Sequence, residues 1–217
     1  MALWSPGGEA SSPMRYYPAF LDINGKKCVI AGGGQVAGRK AVSLLKAGAK
    51  VTIISPELSG KLSQLKEKGL VAHLRREFRK GDLKRLSPFL AYAATDCQTV
   101  NEAVSREASM LGIPVNIVDQ PALSSFIVPS VVARGPLQIA ISTSGASPAM
   151  AKSIRLEIEK LYGKEFGAYL RKRAKARAAA VKNNRDGLAA ADRRRLFKKA
   201  GAGDIIEAIR RGKTVPD

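Results

Sequence analysis

The stretch Val29-Ile30-Ala31-Gly32-Gly33-Gly34-Gln35-Val36-Ala37-Gly38-Arg39-Lys40 places a glycine-rich turn between an apolar run and a helical pattern. The run Lys27–Ala31 reads as a first strand. Gly32, Gly34 and Ala37 occupy the three places of the G-x-G-x-x-G/A dinucleotide fingerprint. The first place needs glycine for a tight turn. The second lets the backbone approach a pyrophosphate, and the third lets helix and strand pack closely. Free N–H groups at the helix start then face the anion. A helix over Val36–Ala47, stopped by Gly48, and a second strand over Val51–Ile54 complete the context that favours a nucleotide site over a structural glycine turn. Gly32, Gly34, Gln35, Val36 and Ala37 are the expected cofactor-binding residues of this turn.

The alternation continues with a helix over Glu57–Lys68, strands near Val71–Leu74 and Leu90–Ala94, a helix over Val100–Leu111 and a strand over Val115–Val118. This is the rhythm of an α/β fold with a doubly wound, Rossmann-like parallel sheet. The pattern then changes. Phe126–Ala133 and Leu137–Thr143 read as two strands joined by Arg134-Gly135-Pro136, a hairpin connection rather than a crossover. The helix that follows carries Met150, Ile154, Ile158 and Leu161 on one face, a stripe suited to a homodimer interface or to packing on its own domain. Further helices are expected at Leu188–Lys199 and Ile205–Arg210. The expected organisation is a disordered extension over 1–14, a nucleotide-binding domain over 15–125, a small dimerisation segment over 126–162 and a basic helical domain over 163–217.

The 217 residues hold 37 Lys and Arg against 18 Asp and Glu, a net charge of +19. Both halves are basic, which suits an anionic ligand or a solvated surface. Nucleic acid is not the expected partner: the basic tail has few aromatics beyond Tyr169 and Phe197 and no recognition motif. No apolar run approaches the roughly 18 residues of a membrane span, and Met1–Pro13 lacks the basic start and apolar stretch of a signal peptide. Cys28, Cys97 and His73 make neither a disulfide framework nor an ordinary zinc site, so a reducing cytoplasm is the expected compartment.

In a doubly wound sheet, ligands lie outside the carboxyl ends of the strands. There the chain places Ser55-Pro56-Glu57, Thr95-Asp96 and Asn116-Ile117-Val118-Asp119. Ser55 stands where NAD-binding proteins commonly carry an acid for the ribose hydroxyls, and Glu57 follows two residues later. No arginine follows to hold a 2′-phosphate, which favours NAD over NADP. Asp119 suits a general base or a metal contact, and equally an Asp capping a turn before Pro121. Ser124-Ser125 and the loop of Ser142, Thr143, Ser144 and Ser147, with Lys152 and Arg155 beyond it, suit a multiply anionic substrate. Ser147-Pro148 reads equally as a plain helix start. His73, in an apolar strand, reads as packed rather than catalytic.

Several segments together resemble the precorrin-2 dehydrogenases, also found as the amino-terminal module of siroheme synthases. They are Tyr17-Pro18-Ala19-Phe20-Leu21, Gly32–Ala37 with Arg39-Lys40, Ala93-Ala94-Thr95-Asp96, Asn116-Ile117-Val118-Asp119, Ser125-Phe126-Ile127-Val128-Pro129-Ser130 and Ser142–Pro148. The resemblance spans about Arg15 to Tyr162. It implies NAD-dependent oxidation of precorrin-2 to sirohydrochlorin in a homodimer, and in some members insertion of ferrous iron into that product. It further implies a catalytic Asp119, and Asn116, Ser125, Ser142, Thr143, Ser144, Ser147 and Lys152 are the residues expected at such a multiply anionic substrate. The tetrapyrrole nitrogens would hold the iron, so no protein metal ligands are expected. Methylation of the substrate is expected from a separate protein, and a dinucleotide sensor without turnover is the alternative.

Overall fold

The computed structural model describes residues 15–183 together with 206, 207 and 211. The helices expected at Leu188–Lys199 and Ile205–Arg210, and the extension over 1–14, lie outside the described residues apart from 206 and 207. The chain divides into two compact units, 1–128 and 129–217.

In the first unit, strands β1 (Lys27–Ala31), β2 (Lys50–Ile54), β3 (Val71–Leu74), β4 (Leu90–Ala93) and β5 (Val115–Ile117) form one sheet. All pairs are parallel and the order is β3-β2-β1-β4-β5, so the direction of winding reverses between β1 and β4. Strands covered on both faces must be apolar on both, which is why β1 and β4 read as continuous apolar runs. One face carries Cys28, Ile30, Ile53 and Tyr92 under helices α1 (Gln35–Lys46) and α2 (Gly60–Glu67). The opposite face carries Val29, Ala31, Ile54, Ala91 and Ala93 under α3 (Asp82–Leu86) and α4 (Gln98–Met110). The expected elements are present with small shifts: the second helix starts at Gly60 rather than Glu57.

Helix α3 has no counterpart among the sequence expectations. At five residues it cannot hold itself, and side chains from elsewhere anchor it. Glu107 of α4 accepts the N–H groups of Gly81 and Lys84 at 2.9 and 3.0 Å. Asp82 is 4% exposed and takes both guanidinium nitrogens of Arg76 at 2.6 and 2.7 Å, with the Arg79 N–H at 2.9 Å. The Arg76 hydrogen bonds, set against the cost of burial, hold the Asp82 carboxyl below its usual range. Its contribution to stability is therefore complete above the unfolded pKa near 4 and is lost as pH falls through the lower folded value. Asp82→Ala leaves Arg76 without its partner. About 3 kcal/mol of stability is expected to go, the low end for a buried pair because Arg76 stays partly solvated. Thermal unfolding at pH 7 checks this, and the gap between variant and parent should narrow below about pH 4.

The second unit contains a hairpin of β6 (Ser130–Arg134) and β7 (Leu137–Ile141), followed by α5 (Pro148–Leu161) and α6 (Lys164–Asn183). The hairpin begins at Ser130 rather than Phe126, whose ring instead packs edge-on against Tyr92 in the first unit. Arg134 donates to the Tyr162 and Glu159 carbonyls and so closes the C-terminus of α5. The buried apolar residues of the described part are Val132, Ala151 and Phe166. Along α5 it is Ala151 that is buried, while Met150 and Leu161 of the expected stripe are half exposed.

Candidate functional site

The glycine turn is shaped by three separate constraints. Gly32 sits at φ +120° and donates its N–H to the Ile54 carbonyl at 2.9 Å. A Cβ there would lie 2.2 Å from the Ala94 carbonyl oxygen, so no larger residue fits. Gly33 is tighter still: a Cβ would meet the Glu57 carbonyl oxygen at 1.8 Å and Ser55 Oγ at 2.5 Å. The Ser59 N–H donates to the Gly33 carbonyl at 2.7 Å and binds the two loops together. Sequence reasoning left Gly33 unassigned because the fingerprint treats it as a free position. Gly34 differs, since a Cβ on it would meet nothing within 4 Å. It is the N-cap of α1, where no side chain caps the helix and no acid occupies the first turn. The helix start is thus left for an anion from outside. Ala37 is fully buried beneath the turn.

These residues line a cleft of about 570 Å³ at the carboxyl ends of β1, β2 and β4, the size of a small-molecule site. It brings together Gly32, Gly34, Gln35, Val36, Ser55, Pro56, Glu57, Thr95 and Asp96 of the expected cofactor residues, with Ala37 packed below. The open face of Gly34, the uncapped helix and the cleft volume fit a dinucleotide. Among the described residues, three carboxylates, Glu57, Glu77 and Asp96, stand on the lining and no Lys or Arg does. Ser55 is buried and its carbonyl accepts the His73 Nε2–H at 2.8 Å. His73 therefore ties β3 to the end of β2, a structural use consistent with the sequence expectation. The Thr95 hydroxyl is engaged with Asn101 Oδ1 at 2.8 Å, and Asn101 Nδ2 returns to the Thr95 carbonyl at 3.0 Å. Cys97, at the start of α4, also lines the cleft. Its thiol is lowered from its usual pKa, first by the Thr99 hydroxyl and then by backbone N–H groups.

Asp119 is exposed just beyond β5, in a turn closed by the Gln120 N–H on the Ile117 carbonyl at 3.2 Å. Its φ of +58° is uncommon for a residue with a side chain and is held by the turn. Around it the hydroxyls serve the sheet edge. Ser125 Oγ accepts the Val115 N–H at 2.8 Å, and Ser124 Oγ accepts the Ile117 N–H at 2.9 Å. Asn116 Nδ2 donates to the Phe126 carbonyl at 3.0 Å. These side chains do for β5 what a neighbouring strand would do.

In the second unit, Ser147 caps α5 by accepting the Met150 N–H at 3.2 Å. Thr143 Oγ1 accepts the Ser147 N–H at 3.1 Å, and Ser142 Oγ accepts that of Ser144 at 3.0 Å. Ser144 sits at φ +53° and is exposed, as is Lys152. Among the described residues no group of three or more His, Cys, Asp or Glu is placed to hold a metal ion. No described helix is long and apolar enough to cross a membrane.

Residues 19–130 match a family described as "Putative NAD(P)-binding", and residues 134–161 match the family "Sirohaem biosynthesis protein central". The siroheme synthase of Nitrosospira multiformis is 39% identical over 210 residues, 92% of this chain and 42% of that protein. The siroheme synthase of Methylobacillus flagellatus is 44% identical over 154 residues, 71% of this chain and 32% of its own length. The chain thus spans less than half the length of these relatives. Among solved structures, that of SirC, a precorrin-2 dehydrogenase, superposes with a TM-score of 0.71 at 27% identity, covering 85% of this chain and 88% of that one.

Proposed function

The chain belongs to the family of the siroheme synthase amino-terminal module and the precorrin-2 dehydrogenases, and from that premise we propose that it oxidises precorrin-2 to sirohydrochlorin with NAD in siroheme biosynthesis. The observation that carries this reading is the conjunction, within one unit, of an uncapped glycine cradle and an exposed acid held in a constrained turn at the end of β5. NAD, when bound, supplies the acceptor for a hydride from the macrocycle. The chain's own residues do the rest. The N–H groups at the start of α1 bind the pyrophosphate, and the Gly34 backbone lets it come close. Glu57, near the end of β2, accepts ribose hydroxyls, and the acidic lining disfavours the 2′-phosphate of NADP. As the C–H electron pair leaves the substrate with its hydrogen, the macrocycle must also lose a proton, and the Asp119 carboxylate takes it.

The excess of positive charge supports a substrate bearing many carboxylates, by steering it. Asn116, Ser125, Ser142, Thr143, Ser144, Ser147 and Lys152 are the substrate residues of this reading. Ferrous iron enters as a further substrate in a chelation step, with the ring nitrogens as ligands. The hairpin unit supports a homodimer: among its described residues few apolar side chains are buried, and Val131, Met150, Leu156 and Leu161 stand half exposed. A solution mass of twice 23.1 kDa is expected by light scattering, and a monomer at micromolar concentration would remove the dimer from this reading.

The test is an anaerobic assay with enzymatically made precorrin-2, following NADH and sirohydrochlorin absorbance with NAD and with NADP, then adding ferrous iron. Turnover with NAD and weaker turnover with NADP is the expected result. A folded chain that binds dinucleotide without turnover overturns the dehydrogenase reading in favour of a sensor. Siroheme formation no faster than in the enzyme-free control removes the chelation step.

A further inference from the structure

On the α1 side of the sheet, α1 and α2 connect β1, β2 and β3, while α3 and α4 lie on the opposite face. Over β4 and β5 the described residues of this unit therefore supply no helix on the α1 side. What covers Tyr92 there is the edge-on ring of Phe126, 5.5 Å away, and the ammonium of Lys40, 5.6 Å from the Tyr92 ring centroid. Lys40 reaches this place from the second turn of α1 and is half-buried.

Its situation is unbalanced. An ammonium carries three N–H donors, and a partly buried cation is costly unless those donors find acceptors. Among the described residues Lys40 has a ring face but no hydrogen bond or ion pair. Burial and then the neighbouring Arg39 charge push its pKa down, and only the field of the Asp119 carboxylate opposes them. Asp119 is thus near enough to be felt, yet it makes no ion pair with Lys40. A cation–π contact offsets only part of the desolvation. The cationic pair Arg39-Lys40 outweighs the single acid, so the spot favours an incoming anion.

We propose that Lys40 is a substrate-binding residue, its ammonium taking one carboxylate of the tetrapyrrole and thereby seating the macrocycle beside Asp119. The assignment rests on the precorrin-2 reading for the ligand class and on the unpartnered amine for the residue. It accounts for a lysine in a place where an apolar side chain would cover Tyr92 more cheaply. An ion pair at this point fixes one edge of the macrocycle, where stacking alone does not.

The experiment measures sirohydrochlorin binding to the NAD-free chain by anaerobic absorbance titration, for the parent, Lys40→Met and Lys40→Arg. Lys40→Met is expected to weaken binding roughly 10- to 100-fold, the worth of a hydrogen bond to a charged group, and Lys40→Arg to restore most of it. In turnover, KM for precorrin-2 rises by a similar factor while kcat and the Kd for NAD change little. If Lys40→Met lowers the melting temperature, Lys40→Gln replaces it. Equal sirohydrochlorin affinity in parent and Lys40→Met, or no binding by the parent, overturns the assignment of Lys40. Absence of parental turnover overturns the dehydrogenase reading instead, and the two failures are seen in separate assays.

Discussion

Asp119→Asn is expected to lower kcat for precorrin-2 oxidation by about 10²–10⁴-fold, the usual contribution of a positioned general base. Asparagine is the informative change because it tolerates the left-handed conformation that Asp119 adopts at φ +58°, so the turn closed on the Ile117 carbonyl survives. The charge is removed and the backbone is not. Asp119 lies outside the residues lining the dinucleotide cleft, so the Kd for NAD and the melting temperature should stay near the parent's. Asp119→Ala should give the same loss of turnover with a small added cost in stability. An Asp119→Asn variant that turns over at the parental rate would end the base assignment, leaving the residue as a turn former.

Within the glycine turn, Gly33→Ala and Gly34→Ala should separate folding from binding. A Cβ on Gly33 would collide with the Glu57 carbonyl at 1.8 Å, and that atom is backbone with no rotamer to change. The turn after β2 must move away, taking with it the Ser59 N–H bond to Gly33. Both stability and NAD binding are expected to fall. Gly34, by contrast, has extended backbone at φ −78° and ψ −171° and open space where its Cβ would stand. Gly34→Ala should leave the melting temperature of the free chain unchanged or raise it slightly, since alanine restricts the unfolded chain. The added methyl occupies the side from which the pyrophosphate approaches. NAD affinity is expected to drop roughly 100-fold, about 2.7 kcal/mol. Calorimetric titration of NAD with a thermal scan of the free variants checks both. Parental NAD affinity in Gly34→Ala would mean that the pyrophosphate does not lie over this helix start.

The alternation of strand and helix from Lys27 to Ile117, α3 apart, is legible without coordinates, because β1 and β4 are near-continuous apolar runs and α1, α2 and α4 are each followed by a glycine. So is the placement of the cleft, since the fingerprint residues and the strand ends line it together by topology alone. Other features required the assembled structure. Helix α3 exists because Glu107, some 25 residues away, accepts its first N–H groups and because Asp82 is buried against Arg76. Ser124 and Ser125, which look like substrate contacts, also serve the edge of β5.

From its own residues this chain determines the kinds of element, their order and the faces they bury, because periodicity and turn chemistry act over a few positions. Tertiary structure alone decides that Gly33 must be glycine, that α3 forms, and that Lys40, among the described residues, is left with a ring face and no acceptor. Each of these depends on atoms brought close by packing across long separations in sequence, where steric exclusion and desolvation act and local pattern carries no information.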